Sequence, residues 1–174
     1  FLVSGVSSGL GYQVANDLLA LGYSVLGVSR NKTKKVDLLI ENYSEQFHFE
    51  PLDLTSDIDF LPKWVVLQSK DKGPFSGLVH SAGIQQILPF QINTYKHMLD
   101  IFNLNVFAGL ALAKGVSDRR AIAEKGGSIV FISSVASQIG QQGLVNYSAS
   151  KSALNGAMRS MAKELAPRNI RVNS

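Results

Sequence analysis

An open, parallel α/β sheet with helices on both faces is the fold class this sequence predicts, and three observations carry it. Short apolar segments alternate with helical stretches from the first residue onward, they lack the apolar–polar alternation of half-exposed strands, and a proline falls in the third of them. Segments apolar on both sides belong to strands covered on both faces, which a parallel sheet with helical crossovers provides. With 174 residues, there is room for one such domain, 1–174, and none for a separate substrate domain.

The elements follow in order. Phe1–Val3 reads as a strand ending in glycines, and Val14, Leu18 and Leu21 then recur at i, i+4 and i+7, a helix that Gly22 stops. Val25–Val28 is a second buried strand, residues 34–43 a short helix, and Phe47–Leu52 a third strand. Pro51 lies inside it, where its missing N–H is tolerated only at an edge. The order that puts the third strand at the edge of a doubly wound sheet is 3-2-1-4-5-6. A helix is expected to start near Pro62, followed by a strand at Leu78–His80, a long helix from about Pro89 to Gly115, a strand at Ile129–Ile132 and a helix from about Val145 to Ala166. Ile170 begins another strand. Both ends read as cut, with a C-terminal part of the fold expected beyond Ser174.

Composition narrows the chemistry. The chain is 45% hydrophobic and 17% charged, which is a globular balance. Its net charge of +4 is dispersed and accompanies no nucleic-acid-reading motif, so no nucleic-acid partner is expected. There is no cysteine, and three scattered histidines have no ligand spacing, so thiol chemistry and a metal site are not expected. No apolar run approaches the roughly 18 residues that span a bilayer, and no signal peptide opens the chain. The expectation is a cytoplasmic protein without a membrane partner.

The first candidate site is Ser4-Gly5-Val6-Ser7-Ser8-Gly9-Leu10-Gly11, placed between a strand and a helix as a dinucleotide fingerprint must be. Gly5 suits the sharp turn, Gly9 the approach of backbone to a pyrophosphate, and Gly11 close packing of helix on strand. The helix N-terminus, with Ser7, Ser8 and the Leu10 backbone, offers donors to phosphate; an ordinary glycine-rich turn is the plainer alternative. The second strand ends Gly27-Val28-Ser29-Arg30-Asn31-Lys32 with no acid to bind a ribose 2′-hydroxyl. Arg30, with Ser29 and Lys32, suits a 2′-phosphate, so NADP(H) is favoured over NAD(H); a solvated cation run is the alternative.

Tyr147 and Lys151 stand four residues apart, on one helical face. Phenols ionise near pH ~10, and an adjacent cation favours the phenolate. Tyr147 is therefore a candidate general base for alcohol oxidation and general acid for ketone reduction. Leu154, Met158, Met161 and Leu165 continue as an apolar stripe, read as core.

Gly5 to Gly11, Asp53, His80-Ser81-Ala82-Gly83, Asn105, Ser134, Tyr147 and Lys151 stand in an order and spacing that resembles the short-chain dehydrogenase/reductase family over essentially the whole chain, with members of the 3-oxoacyl carrier-protein reductase kind in view. The resemblance implies a Rossmann-type fold and hydride transfer between a nicotinamide cofactor and a carbonyl or alcohol. It implies that Ser134, with Ser133 as the neighbouring alternative, bonds the substrate oxygen; that Lys151 holds the nicotinamide ribose; that Asn105 orients a water in a proton relay; that Asp53, followed by Leu54, reads the adenine; and that Ala82 and Gly83 form a turn beside the cofactor. His80-Ser81 departs from the family's frequent Asn-Asn, leaving the contacts of those asparagines open, and His80 is given no catalytic role. Asn105 is also a poor helix former, by up to ~0.7 kcal/mol against Ala, so something should compensate for it.

A 3-oxoacyl thioester or another ketone is the leading substrate, and Arg119, Arg120, Lys125 and Arg168 offer either a surface for an acidic acyl carrier or simply a solvated face. The resemblance also implies a homodimer or homotetramer. In it, the small residues Ala149, Ser152, Ala153, Gly156 and Ala157 of the last helix would meet a partner, although packing within the chain is open to them too. Two other functions compete: a dinucleotide-sensing regulator without chemistry, and a nucleotide-sugar epimerase or dehydratase. Regulators of that kind usually lose the tyrosine, and the epimerases usually space their glycines differently.

Overall fold

Strands β1 (Leu2–Ser4), β2 (Val25–Ser29), β3 (Phe47–Pro51), β4 (Gly77–His80), β5 (Gly127–Phe131) and β6 (Ile170–Asn173) form one parallel sheet, in a computed structural model that describes residues 1–174. The order is β3-β2-β1-β4-β5-β6, as the edge proline required. Pro51 stands opposite Ser29 with no strand on its other side, so its missing N–H costs no ladder bond. Leu2 of β1 registers with Leu26 of β2 and Leu78 of β4, and all three side chains are buried.

Helices cover both faces. On one, α1 (Gly9–Ala20) and α2 (Lys34–Asn42) set Ala15, Leu19, Val36 and Leu39 against Val3, Val25 and Phe47. On the other, α3 (Leu61–Lys72), α4 (Tyr95–Phe102), α5 (Ala108–Val116) and α6 (Val145–Leu165) bring Val65, Leu112 and Leu154 onto Leu2, Leu78 and Ile129, the larger core. Leu165 belongs to this core, with Met158 and Met161 packed partly buried against it.

Most element ends fall within two residues of expectation, but the long helix differs. It starts at Tyr95, not near Pro89. Thr94 caps it, its Oγ1 accepting the His97 N–H while His97 Nδ1 accepts the Thr94 N–H. The Pro89 region makes only a 3₁₀ turn, Phe90–Ile92. Between α4 and α5 the chain takes one π-turn, Asn103–Phe107, in which the Ala108 N–H reaches back to the Asn103 carbonyl. The combined helix Tyr95–Val116 has 22 residues and a mean hydropathy of 1.3 over its most apolar window, long and apolar enough to cross a bilayer, contrary to the sequence expectation. It is a core helix here: 56% of that window is buried within the fold.

Candidate active site

The carboxyl edge of the sheet carries the site. β1 ends just before Gly5, β2 before Arg30, β3 before Asp53, β4 before Ala82 and Gly83, and β5 before Ser133 and Ser134. The crossovers from β1 to β2 and from β3 to β4 depart in opposite directions, so the loops part beside β1 and leave a cleft. It has a volume of about 530 Å³. The glycine turn, Ser29, Arg30, Leu54, Ala82, Gly83, Tyr147 and Lys151 line it; Gly11, Asp53, Asn105 and Ser134 do not.

The glycine turn is built for close backbone approach. Gly5 takes φ +78°, and a Cβ there would stand 2.8 Å from the Ala82 nitrogen. Gly11 lies behind the cleft, where a Cβ would overlap the Gly5 carbonyl. A Cβ on Gly9, by contrast, would meet nothing within 4 Å: the space above it is open. Ser8 caps α1 without a side-chain bond to its own helix, so its hydroxyl and the first N–H groups of α1 face the cleft uncommitted. Open space over glycine at a helix N-terminus fits a pyrophosphate.

At the end of β2 the structure redistributes the expected cation cluster. Arg30 is exposed and lines the cleft, whereas Lys32 pairs with Asp37 at 2.6 Å and the Ser29 hydroxyl donates to the Asn31 carbonyl. Of the three residues read as phosphate ligands, Arg30 keeps its donors free. Thr33, missed in the sequence, lines the cleft and donates to the Ser7 carbonyl at 2.9 Å, tying this loop to the glycine turn. Its position just before the Lys34 helix, as an N-cap threonine, was the available signal. Asp53 faces a neighbouring cavity with Arg30. Its Oδ1 accepts from the Thr55 N–H at 2.9 Å and hydroxyl at 2.7 Å, which hold the carboxyl below its usual range. It is a turn-forming residue with its second oxygen free.

Lys151 is buried, and its Nζ lies 5.6 Å from the Tyr147 ring centre while donating to the Ile132 carbonyl at 2.7 Å. Burial pulls its ammonium down to about 8, so the cation still dominates at neutral pH. Asn105 is fully buried in the π-turn, and its compensation is explicit. Oδ1 accepts the Ile84 N–H at 2.8 Å, while Nδ2 donates to the Ile84 carbonyl at 2.9 Å and to Ser150 Oγ at 3.1 Å. This side chain clamps the loop after β4 to α6. A Cβ on Gly83 would come 3.2 Å from Asn105 Oδ1 and 3.6 Å from Lys151 Nζ.

The two serines after β5 differ. Ser133 lines the cleft and its hydroxyl reaches the Lys151 carbonyl at 3.5 Å. Ser134 caps the turn Val135–Ser137, its Oγ accepting the Ala136 N–H at 3.2 Å while its own proton stays free to donate. At the His80-Ser81 departure, Ser4 Oγ accepts the N–H groups of Ser81 and Ala82 and bonds His80 Nδ1 at 2.9 Å. Of the four candidate carrier-docking cations, Arg120 pairs with Asp118 and Arg168 donates to the Ser117 carbonyl.

Comparison with known proteins bears on the family and the fold. The model of a family described as short chain dehydrogenase matches residues 1–174. The 3-oxoacyl-[acyl-carrier-protein] reductase FabG of Aquifex aeolicus is 34% identical over 176 residues, covering 99% of this chain and 70% of its own. An L-xylulose reductase of Caenorhabditis elegans is 32% identical over 175 residues, covering 99% and 68%. The crystal structure of a short-chain dehydrogenase from Streptomyces avermitilis superposes with a TM-score of 0.88 at 32% identity, covering 98% of this chain and 62% of that one.

Proposed function

Because the chain belongs to the short-chain dehydrogenase family, we propose that it is the cofactor-binding and catalytic core of an NADP(H)-dependent oxidoreductase that interconverts a ketone and an alcohol. The observation that carries this reading is the placement of Tyr147 beside the buried Lys151 ammonium, in the same cleft as an open glycine turn. Gly5, Gly9, Ser8 and the N-terminus of α1 would hold the pyrophosphate, Arg30 a 2′-phosphate, and Lys151 the nicotinamide ribose. When bound, the dinucleotide supplies the hydride for reduction or accepts it in oxidation. In reduction Tyr147 gives its phenolic proton to the carbonyl oxygen, which becomes the alcohol hydroxyl, and Lys151 favours the phenolate left behind. Ser134, with an uncommitted proton, steadies the developing charge on that oxygen.

A 3-oxoacyl thioester or another apolar ketone suits the chain better than a polyol, because the segments flanking Ser134 and Tyr147 expose Val135, Ile139 and Val145. A second copy of the chain is the partner that fits the outer face of α6. Ala149 and Ser152 are exposed there, and α4 and the π-turn, packed alongside, expose Met98 and Phe107.

Calorimetric titration of NADPH and NADH into the protein and into Arg30→Ala tests the cofactor assignment, and turnover of a panel of ketones by wild type and Tyr147→Phe tests the chemistry. Tighter binding of NADPH, lost in Arg30→Ala, together with turnover abolished in Tyr147→Phe at unchanged cofactor affinity, is the expected result. Equal affinities for the two cofactors remove the NADP(H) assignment; turnover that survives Tyr147→Phe removes the mechanism.

A further inference from the structure

We propose that Asn155 is a positioning residue of this active site, fixing through Ser137 the turn that carries Ser134. The inference rests on the reading of Ser134 as the group that bonds the substrate oxygen. The turn Val135–Ser137 has little apolar anchorage: Ala136 is buried, but Val135 and Ile139 are 69% and 61% exposed. Hydrogen bonds to α6 hold it instead. Ser152 Oγ donates to the Ser137 carbonyl at 2.8 Å, Asn155 Nδ2 donates to Ser137 Oγ at 2.9 Å, and Ser137 Oγ donates to the Ser134 carbonyl at 2.6 Å.

The proton count makes this relay directional. Ser137 has one hydroxyl proton, and the Ser134 carbonyl takes it, so Ser137 Oγ can only accept from residue 155. Asn155 must therefore present its amide nitrogen, and its Oδ1 correspondingly accepts the Ser174 hydroxyl at 3.0 Å. Tyr147, Lys151 and Asn155 recur at i, i+4 and i+8 along α6, so the helix edge that presents the tyrosine and lysine also grips the serine turn. The two groups that must converge on one substrate oxygen are thereby held in one rigid frame, and convergence of that kind is worth large factors in rate.

The test compares Asn155→Leu, Asn155→Asp, Ser137→Ala and the double variant S137A/N155L with wild type. Asn155→Asp keeps the shape and the acceptor for Ser174 but has no N–H for Ser137. Each single variant is expected to lower kcat by about 10- to 100-fold, with KM and cofactor affinity changed less than about twofold. The double variant is expected to be no worse than the poorer single one, because both cut the same relay. Hydrogen exchange at the amides of 136–139 is expected to accelerate in every variant while the glycine turn stays protected. An unchanged kcat in Asn155→Asp, additive losses in the double variant, or unchanged exchange at 136–139 overturns the proposal. If wild type turns over no ketone, the reading of the site as a ketone reductase fails by itself, and the exchange experiment still decides whether Asn155 holds the turn.

Discussion

His80 is bonded through both ring nitrogens, and its neighbours dictate its tautomer. Ser4 Oγ already accepts two backbone N–H groups, so its own proton goes to His80 Nδ1, and Nε2 carries the hydrogen that meets the Leu104 carbonyl at 3.2 Å. One imidazole thus joins the end of β1, the turn beside the cofactor cleft and the π-turn. Gly109 leaves room for it, since a Cβ there would come 2.5 Å from His80 Cδ2. A second proton on the ring would oppose the Ser4 hydroxyl. Burial, and after it the Lys151 ammonium, lowers its pKa from 6.5 to about 4. Between those two values the unfolded chain takes up a proton that the folded chain refuses, so stability falls as pH drops through the window. The full effect is on the order of 3 kcal/mol. Urea unfolding at pH 6.5 and 4.5 should show most of that loss in wild type and a shallower slope in His80→Gln; equal slopes would refute it. Asp118, held near 2 by its Arg120 partner, loses stability only below its ordinary 3.8 and leaves this interval untouched.

The helix from Tyr95 to Val116 shows what one extra backbone residue does to an element. Its apolar periodicity runs on through the π-turn, so the sequence reads as one uninterrupted helix, and only the poor helix formers Asn103 and Asn105 mark the irregularity. The start of the helix is hidden in the sequence for a similar reason. Pro89 resembles a first-turn proline, whereas the reciprocal cap uses His97 where Glu or Gln is usual. At Asn105 the side chain replaces a piece of secondary structure, satisfying both backbone groups of Ile84, a residue in no strand or helix. Removing it orphans a donor and an acceptor beneath the cleft. Asn105→Ala should cost about 2 to 3 kcal/mol of stability and weaken cofactor binding, because Gly83 and Ile84 line the cleft. Asn105→Asp, unable to donate to the Ile84 carbonyl or to Ser150, should do no better. Chemical denaturation with parallel cofactor titration checks this; a change below about 0.5 kcal/mol in Asn105→Ala would mean the loop is held by other contacts.

For the whole molecule, what was legible in the sequence is what repeats or sits next to its own consequence. Strand order follows from helix alternation and one edge proline, and the glycine turn and the Tyr147–Lys151 pair are local motifs whose partners lie within a few residues. The contacts that assemble the site have no periodicity to read: Thr33 to Ser7, His80 to Ser4 and Asn155 to Ser137 join residues 26, 76 and 18 positions apart, each by a single polar contact whose partner the local sequence does not name. The small residues of α6 are an intermediate case, since packing within the chain and packing against a partner ask for the same side chains. Their exposure is mixed, since Ala153 packs partly buried against the larger core while Ala149 and Ser152 face outward. A Cβ on Gly156 would meet nothing nearer than the Arg159 guanidinium at 4.0 Å, and the adjoining Phe107 is 42% exposed. Small residues that let two helices approach, beside an uncovered aromatic ring, suit a twofold interface in which the same patch meets itself. Sedimentation velocity at micromolar concentration should therefore find a dimer or larger for wild type. Phe107→Glu should shift it to monomer while leaving cofactor affinity unchanged, because Phe107 does not line the cleft. A wild-type monomer would rule out a stable interface on this face, and a dimer that survives Phe107→Glu would place the interface elsewhere.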